Sequence, residues 1–358
     1  MIYKIFRPLI FRLDPELAHE LAIKFLQYLP RFSTILAYEK HYPNLQNKIW
    51  NLDFANPIGL SAGFDKNCQI ALAIEKYGFG FIETGTVTPK AQKGNDKPRI
   101  FRLNQDQSLI NRLGFNNLGS EVFKKNLLEI KPHFPKILGV NIGKNKDTID
   151  PVSDYLELID KFYNYADYLT INISSPNTQN LRDLQNEKQL QILLEAIDQQ
   201  KNQLQKTTKK NIPILLKIAP DLDITQQQAI CEVVINSQIS GIIISNTTIS
   251  RNFNLKSKNH QELGGLSGKP LYLPSNQVLK NVYKFTKGKI PLIGVGGIFN
   301  AQDAYQKIRC GASLVQIYSA FIYQGLGLVE KIKKDLSLMI ERDGFKNIQQ
   351  AIGVDNLQ

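Results

Sequence analysis

From residue 56 onward, short apolar runs recur along the chain, separated mostly by stretches with helical spacing. The runs are 56–64, 79–87, 137–143, 168–174, 213–219, 241–248, 291–298 and 314–320. They are rich in Ile, Leu and Val, as expected of parallel strands buried on both faces. The spacers 68–77, 118–130, 155–163, 190–204, 225–236, 276–285 and 301–310 place apolar residues on one side of a helix. Eight such units predict a closed (β/α)8 barrel. An open doubly wound sheet is the alternative, and it typically has fewer strands.

The first 45 residues have a different pattern. Ile2, Ile5, Phe6, Leu9, Ile10 and Leu13 fall on one helical face, with Lys4, Arg7 and Arg12 off it. Pro8 either opens that helix or kinks it. Asp14, Pro15 and Glu16 read as the cap, first-turn proline and acidic first turn of a second helix. Leu17, Leu21, Phe25 and Leu29 form its apolar face, and Pro30 ends it. Phe6, Phe11, Phe25, Tyr28 and Phe32 give this arm unusual aromatic weight. Its apolar faces either pack on the following domain or sit in a membrane interface.

Composition narrows the function classes. No 18-residue apolar run is present, so the sequence predicts no membrane span. The start lacks the unbroken apolar core and cleavage site of a secretory signal. Cys68, Cys231 and Cys310 are far apart, without a CxxC pair, and the four histidines show no metal-ligand spacing. The net charge is +12, but the lysines are dispersed and no basic run interleaves with aromatics. Nucleic acid is therefore not indicated.

A barrel directs chemistry to the C-terminal ends of its strands. The fourth run is the most informative. In 168–178, YLTINISSPNT, a strand breaks at Pro176 into a short polar loop, and five hydrogen-bonding side chains, Asn172, Ser174, Ser175, Asn177 and Thr178, lie within seven residues. None of these side chains is a strong acid or base at neutral pH, which suits a site that grips a polar planar ring and removes one proton. The other ends supply Ala62, Gly63 and Lys66, then Thr86, Asn141 and Lys144, then Lys217 and Ser245–Thr248. A mouth with several Asn, three Lys and hardly a carboxylate suits an anionic heteroaromatic ligand. GVGGI (294–298) offers backbone N–H groups to a phosphate, and Tyr318 and Ser319 follow on the next strand. GGLSG (264–268) is either a flexible loop or a segment packed over a ribityl chain.

With these residues in hand, the chain resembles class 2, quinone-dependent dihydroorotate dehydrogenases over about residues 1–335. The likeness rests on AGFDKN (62–67), GTVTP (85–89), GNDKPRIFRL (94–103), INRLGFNN (110–117), NIGKNKDT (141–148) and NISSPNT (172–178). It extends through LKIAPDL (216–222), SNTT (245–248), GGLSGKPL (264–271), GVGGI (294–298) and LVQIYSAF (314–321). The resemblance implies FMN as cofactor and oxidation of dihydroorotate to orotate in de novo pyrimidine synthesis. It implies a flavin site of Ala62, Gly63, Lys66, Thr86, Asn141, Asn172, Lys217, Ser245, Gly268, Gly297, Tyr318 and Ser319. It implies a substrate site of Lys66, Asn111, Arg112, Leu113, Gly114, Phe115, Asn172, Asn177, Asn246 and Thr247, with Ser175 as catalytic base. The segment after Pro176 is expected to move as a lid.

Two features select the class. Position 175 is serine, where class 1 uses cysteine, and the two-helix arm is present, where class 1 lacks it. In the family this pair forms a tunnel for a quinone. The implied partition is an arm (1–45), an FMN-binding barrel (46–336) and a tail (337–358). The implied state is a monomer, peripheral on the cytoplasmic face of the inner membrane. Ser61 and Ser245 depart from the alanine and threonine expected of the family. A dihydrouridine synthase acting on tRNA is a rival barrel, but it needs a catalytic cysteine that no strand end provides.

Overall fold

In the computed structural model, the described residues are 2–28 and 39–356. Leu29, Pro30 and Phe32 of the predicted arm lie outside them. In chain order, β1 (Asn47–Ile49) and β2 (Leu52–Phe54) form an antiparallel hairpin. The barrel closes with β3 (Ile58–Leu60), β4 (Phe81–Val87), β7 (Ile137–Ile142), β8 (Tyr168–Asn172), β9 (Ile214–Ile218), β10 (Gly241–Ile244), β12 (Leu292–Val295) and β13 (Ala312–Ile317). Each pairs in parallel with the next, and β13 returns to β3 with Val315 opposite Ile58. Seven of the eight predicted runs contain a barrel strand, and the eighth, 314–320, overlaps β13, which starts two residues earlier at Ala312.

The helices between strands begin where local chemistry starts them. Asp150 caps Pro151–Phe162, with proline at the first position. Asp223 and Gln226 form a capping box on Ile224–Ile235, and Asn300 caps Ala301–Arg309. Tyr272–Phe285 starts earlier than the predicted residue 276, because Pro274 sits in its first turn, where its missing N–H is unneeded. Glu187–Thr208 overruns the predicted 190–204 at both ends with polar residues that its apolar spacing does not register.

Within the barrel, residues alternate between an outer and an inner face. Leu169 and Ile171 of β8 join the apolar layer under the helices. Tyr168 points inward and joins Phe81, Leu215, Ile243, Ile293 and Leu314 in a separate core at the barrel's base. The β1–β2 hairpin plugs that end. The Phe54 ring meets Phe81 edge-on at 5.4 Å, and Trp50 Nε1 donates to Ser240 O at 2.6 Å. Room for Tyr168 comes from Gly139, where a Cβ would lie 2.1 Å from the Tyr168 ring. One step up each strand, the inward residues become polar: Glu83, Thr170, Lys217 and Gln316. The interior thus runs from apolar base to polar mouth.

Two elements go beyond the strand prediction. β5 (Ile100–Leu103), β6 (Ser108–Asn111) and β11 (Gly265–Gly268) form a three-stranded antiparallel sheet. The glycine segment 264–268, open between loop and ligand cover, is mostly this third strand. The helix Leu328–Arg342 continues past residue 336, where the sequence divides barrel from tail. Beyond it, Ile348 and Ala351 are buried. Asp355 accepts from Arg309 Nε at 2.9 Å and Gln306 Nε2 at 2.7 Å, so the tail straps the helix Ala301–Arg309.

The arm consists of α1 (Ile2–Ile10), with Pro8 inside it, and α2 (Pro15–Tyr28). Asp14 Oδ1 accepts the N–H groups of Glu16 and Leu17 at 3.0 Å, the expected cap. The apolar faces are turned outward: Ile5 is 71% exposed, Leu9 64% and Phe25 51%. A small apolar patch holds part of the arm: Leu26 and Ala18 are buried, and Phe11 meets the Tyr323 ring edge-on at 5.4 Å. The rest of the attachment is polar. Arg99 Nη2 donates to Glu16 Oε1 at 2.6 Å, Arg102 Nη1 donates to Leu13 O at 2.8 Å, and Arg7 Nη1 donates to Tyr323 O at 2.9 Å. Among the described residues, no helix is long and apolar enough to cross a membrane.

Candidate active site

A cavity with an empty volume of about 1040 Å³, its open mouth included, occupies the C-terminal end of the barrel. Ala62, Gly63, Lys66, Thr86, Asn172, Lys217, Ser245, Gly268, Gly297, Tyr318 and Ser319 line it, all from the predicted cofactor set. Ser175 lines it too, with Asn111, Leu113, Gly114, Phe115, Asn177, Asn246 and Thr247 of the predicted substrate set. The roof sheet delivers Asn111 from β6 and Gly268 from β11.

Two of the named residues lie off the lining. Asn141 stands behind it: its Nδ2 donates to Glu83 Oε1 at 2.8 Å, and its Oδ1 accepts from Thr86 Oγ1 at 2.6 Å. It therefore orients Thr86. Arg112 turns outward, donating to Glu262 Oε2 at 2.7 Å, with its guanidinium 4.6 Å from the Phe101 ring centroid.

Asn172 is the hub. Its Nδ2 donates to Thr86 Oγ1 at 3.1 Å and Asn141 Oδ1 at 3.2 Å. Its Oδ1 accepts from Ser174 Oγ at 3.0 Å and Asn246 Nδ2 at 3.3 Å. A buried amide with its donors and acceptor in use has a fixed orientation. Ser175 is buried, and its Oγ accepts the Asn177 N–H at 3.3 Å. Asn177 Nδ2 in turn donates to Asn111 Oδ1 at 3.3 Å, tying the loop after Pro176 to the roof. Arg182 pins the same loop: it donates to Ser174 O at 3.0 Å, Thr247 O at 2.9 Å and Asp221 Oδ2 at 2.7 Å.

Two lysines give the cavity its charge. Lys217 is buried on β9 and donates to Ser61 Oγ at 3.3 Å. Burial lowers its pKa, and the Glu83 carboxylate opposes this. Glu83 itself accepts from Tyr168, Thr170, Gln316 and Asn141. Burial also pushes Lys66 down to about 8, against the pull of Glu16 on α2. On the far side, the Gly296–Gly297 turn has positive φ at both residues, 107° and 73°. A Cβ at Gly297 would lie 2.5 Å from Tyr272, so only glycine lets this backbone follow the wall.

Gln316, Ser267, Val295 and Phe299 also line the cavity without having been named from the sequence. Gln316 and Val295 lie within predicted strands, and inward alternation with the strand ends would have marked them.

The profile of the family described as Dihydroorotate dehydrogenase matches residues 44–340. Dihydroorotate dehydrogenase (quinone) of Rhodospirillum rubrum is 46% identical over 358 residues, covering 99% of this chain and 95% of that one. The protein of the same name from Xanthobacter autotrophicus is 44% identical, with 99% of each covered. Among solved structures, DHODH from Eimeria tenella in complex with ferulenol superposes with a TM-score of 0.90 at 38% identity over 96% of each chain. This chain therefore belongs to the dihydroorotate dehydrogenase family, in its quinone branch, and is an oxidoreductase.

Proposed function

We propose that the chain oxidises (S)-dihydroorotate to orotate in de novo pyrimidine synthesis, with FMN as hydride acceptor and a membrane quinone as final acceptor. The observation that carries this is one cavity lined by Ser175, Lys66, Lys217 and the Gly296–Gly297 turn. The pocket fits FMN on two counts. The glycine turn has no side chain to exclude a phosphate, and Lys217 is a buried ammonium that donates to a neutral hydroxyl, Ser61 Oγ. Lys217 would stand at the electron-accepting edge of the ring, with Gly297, Tyr318 and Ser319 at the phosphate.

FMN supplies the hydride acceptor when bound. The chain's residues do the rest. Asn111, Asn172, Asn177 and Asn246 present donors and acceptors to the urea-like edge of the substrate. Lys66 balances the substrate carboxylate and steadies charge developing at C5 once the proton leaves. Ser175 Oγ takes that proton. A serine is a weak base unless the site is closed and preorganised, and the loop held by Asn177 and Arg182 provides that closure.

The outward apolar faces of α1 and α2 support a peripheral seat on the cytoplasmic face of the inner membrane, where quinone would enter. The chain would act there as a monomer.

The test is an absorbance spectrum of the purified full-length protein under anaerobic conditions. Released flavin should be FMN, dihydroorotate should bleach it, and a short-chain quinone should restore it. Finding FAD or no flavin, or no bleaching by dihydroorotate, would overturn the proposal.

A further inference from the structure

Lys307 lies on the helix Ala301–Arg309 and is 0% exposed. Its ammonium donates to Ser275 Oγ at 2.7 Å and to Asn276 Oδ1 at 2.8 Å. Both partners are neutral, as is the Tyr272 ring, whose centroid lies 5.8 Å from the ammonium. The nearby carboxylate is Asp303, whose Oδ2 already accepts the Phe299 N–H at 2.8 Å. Burial pushes Lys307 down to about 7, opposed by Cys310 and Asp303. An ammonium buried among neutral partners is costly to keep charged.

Its surroundings indicate what offsets that cost. The Lys307 stem packs on Gly294, where a Cβ would lie 3.0 Å from its Cδ. Ser275 Oγ shares its one proton between Tyr272 O at 3.1 Å and Gly296 O at 3.3 Å, and it would lie 3.0 Å from a Cβ at Gly296. The ammonium thus stands directly behind the glycine turn, joined to it through one serine. The turn's other side faces the cavity.

We propose that Lys307 is the buried counter-charge of the flavin phosphate, a positioning residue that acts through Ser275 and the Gly296–Gly297 turn. The ligand chemistry is a phosphate monoester dianion. In a low-dielectric wall, a cation one residue removed still favours such a charge, and Ser275 holds the turn open to it. This rests on the FMN reading of the cavity.

The preference of the full-length protein for FMN over riboflavin, measured by displacing bound flavin with each, tests the assignment. Wild type should prefer FMN. Lys307→Met should cut that preference by about 10-fold or more, while riboflavin affinity changes by about 2-fold or less. Ser275→Ala should shift it the same way, by a smaller factor. Equal losses for both flavins would make Lys307 a packing residue only and overturn the assignment, as would an unchanged FMN affinity. If Lys307→Met does not fold, the Ser275→Ala ratio decides by the same criteria. A wild type without preference for FMN would instead overturn the cofactor reading, and this assignment with it.

Discussion

The barrel helix Glu187–Thr208 and the arm helix α2 are both amphipathic, yet they use their apolar sides in opposite senses. The first buries Leu190, Leu193, Leu194 and Ile197 against the strands. The second buries Glu16, Ala18 and Leu26, and leaves Leu17, Leu21 and Phe25 exposed. Periodicity alone does not distinguish them. The difference lies in what the body offers. Under Glu187–Thr208 it offers a broad apolar strand face; under α2 it offers the charges of Arg99 and Lys66 and only a narrow apolar patch, where Phe64 meets His19. A helix that docks through an ion pair has its apolar face free for another medium. The barrel is therefore held by burial, and the arm by ion pairs together with a small buried patch around Ala18 and Leu26.

The largest expected effect is at the barrel mouth. Ser175→Ala should slow flavin reduction by dihydroorotate about 10²–10⁴-fold in single-turnover measurements, the usual weight of a general base. Partition into phospholipid vesicles should not change. An unchanged reduction rate would put the base elsewhere.

Next is the apolar cement of the barrel. Leu193→Ala should cost about 2–5 kcal/mol in denaturant unfolding, because it leaves a cavity between helix and strands. Leu21→Ala on the arm should cost about 0.5 kcal/mol or less. Similar losses at both sites would mean that the outer face of α2 is also packed by burial.

The arm's ionic attachment gives a smaller, pH-dependent effect. Burial alone would raise the Glu16 carboxyl, but the hydrogen bond and charge of Arg99, with Lys97 and Lys66, outweigh it and hold the group below its ordinary value of 4.5. A carboxyl depressed in the fold stabilises above its unfolded pKa and loses that contribution as pH falls through the folded one. Protease cleavage within residues 1–45 should therefore accelerate below about pH 4.5 in wild type. In Arg99→Met it should be about 10-fold faster already at pH 7, on the scale of one charged hydrogen bond. A pH-independent rate would show that the arm is not tethered by this pair.

The same contrast explains what was legible in the sequence. Barrel strands are continuous apolar runs between helical spacers, and both signals are local, so all eight were found. The roof strands are short: IFRL alternates over four residues, and GLSG carries two glycines that disguise its pairing with β6. Glu83 reads as a strand residue, and only barrel closure reveals that four side chains converge on its carboxylate. Arg182 and Lys307 act across the fold, on Thr247 and Ser275, and no nearby motif announces them. The arm was legible as two helices but not in its orientation, because the pairing of Glu16 with Arg99 spans 83 residues.

The finest test of the comparison lies on the outward face of α2. Phe25 and Leu21 are half-exposed, and burying a side chain of this size in an apolar medium is worth about 1.5–3 kcal/mol. Leu21→Ser with Phe25→Ser should therefore leave the unfolding midpoint nearly unchanged, while lowering partition into phospholipid vesicles by about 10-fold or more. Flavin reduction by dihydroorotate should stay at the wild-type rate, since neither side chain lines the cavity. Turnover with a membrane-embedded quinone should fall with the partition. If vesicle binding persists, the exposed face of α2 is not the membrane contact. If stability falls as well, the face packs on something the outward orientation does not account for, and the contrast between an arm with its outer apolar face free and a barrel with its apolar faces buried fails.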